Sequence, residues 1–107
     1  MEPLLVLTNV PDEATAEKLA NALVEARVAA CVNVLAPCRS IYRWQGRLEM
    51  AAEIPLLIKT STSSYPRVEE IVRTQHPYDV PELIAVPITN GLPAYLDWLA
   101  KETDKHE

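Results

Sequence analysis

The chain has 107 residues, of which 49% are apolar and 23% charged, which describes one folded domain spanning residues 1–107 and excludes a disordered chain. Its net charge of −5, from 15 acidic against 10 basic side chains, repels phosphate backbones, so no nucleic-acid partner is expected. The longest apolar run, Val28 to Val32, falls far short of the roughly 20 residues a membrane span needs, so no membrane association is expected.

The opening Met1-Glu2-Pro3 lacks the basic region of a signal peptide. With two cysteines and no export signal, the expected location is cytoplasmic and the expected thiol state is free. Gly46 and Gly91 are the two glycines of the chain, too few for a dinucleotide fingerprint or a phosphate-binding loop. His76, His106, Cys31 and Cys38 match no structural zinc spacing. No organic cofactor is expected.

Leu4 to Thr8 reads as a short buried strand. Pro11-Asp12 opens a helix, with Asp12 placed to cap it and Leu19, Leu23 and small alanines forming a stripe to about Arg27. Cys31 to Trp44 is β-branched and aromatic in character, and Gln45-Gly46 turns it back into a second strand over Leu48 to Thr60. Pro55 inside that strand predicts a bulge or an edge. A second helix begins near Ser63 or Ser64 with Pro66 and stops before Pro77. Leu83 to Ile88 is the last strand, and Asn90-Gly91 leads into a final helix carrying Leu92, Tyr95, Leu96 and Leu99. The order βαββαβ, then α, predicts an α+β fold of the ferredoxin-like sandwich type.

Two features of that sandwich point beyond one chain. Leu5 and Leu7 lie on one face of the first strand and Leu4 and Val6 on the other, while the last strand sets Leu83 and Ala85 opposite Ile84, Val86 and Ile88. A sheet with one wet face alternates apolar with polar, and these strands do not. The extended middle hairpin also carries Tyr42 and Trp44 near its tip, where a lone domain would expose them. Both features predict a homo-oligomer.

The segment His76-Pro77-Tyr78-Asp79-Val80-Pro81-Glu82 is the candidate site. Its two prolines stiffen a loop dense in polar groups, which suits binding. His76, Asp79 and Glu82 are candidate ligands for a divalent cation, with Glu53 and Cys31 within reach from the sheet. The competing reading makes His76 a helix terminator. Cys31 and Cys38 point to opposite faces of a regular strand and cannot pair there. Arg39, Arg43 and Arg47 are the one basic cluster, best read as partners for acidic groups of a neighbouring subunit. Lys59 fits either an ion pair with Glu53 or an anion contact.

With these residues in view, the chain resembles the CutA family of divalent-ion tolerance proteins. The resemblance rests on Pro11-Asp12-Glu13-Ala14, Ala29-Ala30-Cys31-Val32-Asn33-Val34, Ser40-Ile41-Tyr42-Arg43-Trp44-Gln45-Gly46, Glu53 with Leu56-Leu57-Ile58-Lys59-Thr60, His76 to Glu82, and Tyr95-Leu96-Asp97-Trp98-Leu99. It covers about Leu4 to Leu99. It implies a ferredoxin-like homotrimer, cytosolic and non-enzymatic, tied to tolerance of copper and other divalent cations. The expected metal ligands are His76, Glu53, Asp79 and Glu82, in clefts between subunits lined by Cys31, Tyr42, Trp44, Lys59 and Tyr78. The alternative is a trimer of the PII signalling type, or a scaffold, that takes a small anionic ligand through Lys59 and the arginines. The chain departs from the pattern of some bacterial relatives at Thr8, where they carry cysteine, and at Gln75, where they carry the first of two histidines. Those departures weaken copper binding rather than the family resemblance.

Overall fold

The structure, a computed structural model, describes residues 2–103; His106 lies outside them. The first strand, β1 (Pro3–Val10), lies antiparallel to the fifteen-residue β4 (Arg47–Ser61). Their register pairs Val6 with Ile58, Thr8 with Leu56 and Val10 with Ile54, so all six side chains share one face. All six are buried there.

Two helices cover that face. In α1 (Glu13–Glu25) the buried residues Ala16, Leu19 and Leu23 recur at helical spacing, and in α2 (Tyr65–Gln75) Val68 and Val72 do the same. Each fully buried leucine or valine contributes about 1.5–3 kcal/mol over its exposed state. The start of α1 is fixed by Asp12, whose Oδ1 accepts the Thr15 amide at 2.8 Å. Its end is a left-handed cap. Arg27 has φ 60°, and the Arg27 and Val28 amides reach back to the Val24 and Leu23 carbonyls at 3.0 and 3.2 Å.

The stretch expected as one strand, Cys31 to Trp44, is two: β2 (Cys31–Val34) and β3 (Cys38–Trp44). Both pair with β4, but Val34 faces Leu56 while Cys38 faces Glu53. Leu35, Ala36 and Pro37 therefore oppose Ile54 and Pro55, a bulge. It sits where Pro55 cannot donate to a ladder, as that proline predicted, and the Leu35 amide bonds the Pro55 carbonyl at 3.0 Å. Beyond it, β3 and the outer half of β4 form a projecting hairpin. Gln45 and Gly46 turn it with φ 51° and 80°, the two positive values a type I′ turn requires. The longest extent of the described chain is 44 Å.

The last strand, β5 (Ile84–Pro87), pairs with β1 and completes the order β2-β4-β1-β5. With α1 and α2 on one side, this is the ferredoxin-like sandwich. The last helix, α3 (Pro93–Glu102), packs on β4 and β1 rather than in the layer of α1 and α2. It buries Leu99 and is pinned by the Ser64 hydroxyl on the Thr103 carbonyl at 2.9 Å and by Arg27 on the Lys101 carbonyl at 3.1 Å. One helix does not close the second face. Ile84 and Val86 stay exposed there, as do Ile41, Leu48 and Met50 on the hairpin.

Candidate functional site

The loop between α2 and β5 is tied to the end of β1 by side chains from both. His76 caps α2 and is buried. The Tyr78 amide donates to His76 Nδ1 at 3.1 Å, so that nitrogen is unprotonated. Nε2 then carries the hydrogen and donates it to the Asn9 carbonyl at 2.6 Å. The tilted Tyr78 ring packs on the imidazole with centroids 4.7 Å apart. Further along, the Thr8 hydroxyl donates to the Glu82 carbonyl at 2.6 Å, and the Asn9 amide donates to Glu82 Oε1 at 2.9 Å.

These ties direct the loop against the hairpin. The Tyr78 hydroxyl donates to Glu53 Oε2 at 3.1 Å. Burial, then the Glu53 carboxylate, holds the Tyr78 phenol above its ordinary range, with smaller contributions from Tyr42 and Asp12. Between loop and hairpin lies an open groove of about 760 Å³. Tyr42 and Trp44 line it from β3, Glu53 from β4, and Tyr78, Asp79 and Glu82 from the loop. Three carboxylates and three aromatic rings face the groove, and among the described residues no lysine or arginine lines it.

Cys31 and Lys59 lie elsewhere. They are cross-strand partners on the second sheet face, where Lys59 Nζ donates to Asn33 Oδ1 and sits 4.0 Å from Cys31 Sγ. Lys59 is thus not paired with Glu53, six residues away along β4. Within one subunit, Glu53, Asp79, Glu82, Tyr42, Trp44 and Tyr78 come together, whereas Cys31 and Lys59 do not join them. His76 stands behind the groove with both ring nitrogens engaged. No three His, Cys, Asp or Glu side chains converge to hold a metal ion among the described residues. Cys31 and Cys38 are both free.

The family model for the CutA1 divalent ion tolerance protein matches residues 4–102. The chain belongs to the CutA1 family. It is 50% identical over 99 residues to the divalent-cation tolerance protein CutA of Thermus thermophilus, covering 92% of this chain and 96% of that protein. The CutA1 structure from the psychrotroph Shewanella sp. SIB1 superposes with a TM-score of 0.94 at 43% identity and covers 97% of each chain. The CutA of Archaeoglobus fulgidus, described as periplasmic, gives 0.92 at 32% identity over 95% of this chain and 99% of that one. In this CutA1 chain no helix of the described residues is long and apolar enough to cross a membrane.

The sequence reading missed Thr8 and Asn9 as functional supports in the CutA1 fold. Thr8 does leave a signal: it is a hydroxyl in an otherwise aliphatic strand, on the face that the helices bury, so it must find an acceptor. Asn9 leaves none, because its partners lie 67 and 73 residues away.

Proposed function

We propose that this CutA1 chain is a non-enzymatic divalent-cation tolerance protein. It assembles as a homotrimer and takes up divalent cations, copper among them, weakly in clefts between subunits. The observation that carries this reading is Glu53. The residue is 7% exposed, its carboxylate is bonded to the Tyr78 hydroxyl alone among the described residues, and it faces a groove that adds Asp79 and Glu82. A buried carboxylate with no cationic side chain beside it among the described residues favours a site that attracts one. The described residues of one subunit supply too few converging ligands for a tight site, so a neighbouring chain completes the coordination and the affinity is modest.

The trimer reading is supported by the uncovered Ile84 and Val86 and by the projecting hairpin with Ile41, Leu48 and Met50 exposed. In this reading His76 positions Tyr78 and the loop, and Glu53, Asp79 and Glu82 meet the cation. Two free thiols suit the reducing interior of the cell. The anion-binding alternative is less well supported, because Lys59 lies away from the groove and the groove is lined by carboxylates.

Calorimetric titration of divalent copper and zinc into metal-free protein tests the function, with Glu53→Gln alongside. Binding that weakens at least tenfold in Glu53→Gln agrees with it; equal binding by both proteins refutes it. Light scattering tests the assembly, since a solution mass near a single 11.9 kDa chain rules out the trimer.

A further inference from the structure

The groove is larger and more apolar than a metal ion needs. No three of its acidic side chains converge to hold a metal ion among the described residues, and the rings of Tyr42, Trp44 and Tyr78 line it beside them. Glu82 already accepts from Asn9, which leaves the buried Glu53 and Asp79 as the main sources of negative charge. More than one carboxylate in a groove that also carries aromatic rings matches a flexible chain with positive charges at intervals. Ammonium groups bond carboxylates with charge assistance, and a protonated amine or its adjoining methylenes sit well on tyrosine and tryptophan faces.

We propose that this groove binds a linear aliphatic polyamine. One ammonium lies at Glu53, beside the Tyr78 hydroxyl, and a second at Asp79, with the methylenes between them against Tyr42 and Trp44. The groove selects by charge and by its aromatic lining. A monoamine satisfies one carboxylate only, whereas a diamine can satisfy two. This inference is independent of the metal reading, since it requires no ligand from a second subunit.

The test is calorimetric titration of spermidine, 1,4-diaminobutane and n-butylamine into the intact protein at physiological salt, followed in parallel by tryptophan fluorescence. The variants are Glu53→Gln, Asp79→Asn, Trp44→Leu and a control, Glu17→Gln, on the exposed side of α1. Spermidine is expected to bind at least tenfold more tightly than n-butylamine, with diaminobutane between them. Glu53→Gln and Asp79→Asn each weaken spermidine about tenfold or more. Trp44→Leu, at an exposed position where folding is not at stake, weakens it severalfold. Glu17→Gln leaves it unchanged. Equal affinity for all three amines, or an equal loss in Glu17→Gln and Glu53→Gln, overturns the proposal by reducing it to general attraction to an acidic protein. Zinc binding without spermidine binding overturns it and leaves the metal reading standing. Spermidine binding without metal binding supports it and removes the metal reading.

Discussion

Replacing His76 with alanine asks whether the imidazole holds the loop or waits for a ligand. The change removes the bond to the Asn9 carbonyl at 2.6 Å, the bond from the Tyr78 amide at 3.1 Å, and the ring contact with Tyr78 at 4.7 Å. A hydrogen bond is worth about 0.5–1.5 kcal/mol net, and a stranded buried partner about 1–3. The expected loss is therefore about 2–4 kcal/mol. His76→Gln retains an amide able to serve one partner, and it should recover about half of that loss. Urea unfolding at fixed protein concentration measures both variants, because the midpoint of an oligomer depends on concentration. A loss below about 0.5 kcal/mol for His76→Ala, a fraction of one hydrogen bond, would refute the strut reading. If copper uptake also vanished in that variant, the ring would have to be a ligand.

Three further outcomes are expected. Thr8→Val conserves shape but leaves the Glu82 carbonyl without its 2.6 Å donor; stability should fall by about 1–3 kcal/mol in urea unfolding, and no change would mean that the loop is held elsewhere. Gly46→Ala meets no atom within 4 Å but must hold φ +80°, so thermal unfolding should register a loss of about 1–2 kcal/mol from backbone strain alone. The Tyr78 phenol is raised from 10.0, chiefly by burial and then by Glu53. Its contribution to stability is therefore fully present below about pH 10 and lost as pH rises through the higher folded-state value. Tyr78→Phe should flatten part of the alkaline fall in stability, and an unchanged profile would mean that Tyr78 titrates alike in both states.

The sandwich was legible because its signals are local and periodic. Leu19 and Leu23 carry the helical spacing, Asp12 caps, and Gln45-Gly46 turns. Leu5 and Leu7, opposite Leu4 and Val6, announced a sheet with two apolar faces, and the single α3 leaves part of the second one bare. Pro55 signalled a bulge, but not that three residues of the facing strand would fill it and divide that strand in two. The site was half legible. Composition singled out the stretch from His76 to Glu82, and Glu53, Tyr42 and Trp44 do stand across from it. Periodicity gave no means of separating Lys59 from Glu53, since the two share a strand whose length decides how far apart they fall. Nor could it say that the imidazole is occupied. That follows from contacts between β1 and a loop more than sixty residues later, which only the closed sheet brings together.

The bulge at Pro55 also divides the chain by how long its amides stay closed. From Ile54 onward β4 has β1 along one edge and, from Leu56, β2 along the other, whereas Arg47 to Glu53 pair with β3 alone. A two-stranded ribbon is marginal in water by itself, so in an isolated subunit its amide hydrogens exchange through local opening while the core strands wait for global unfolding. The boundary should fall within a residue or two of Pro55. Any protection that appears on the hairpin side of it then measures what a neighbouring chain contributes, which makes those amides an internal gauge of assembly.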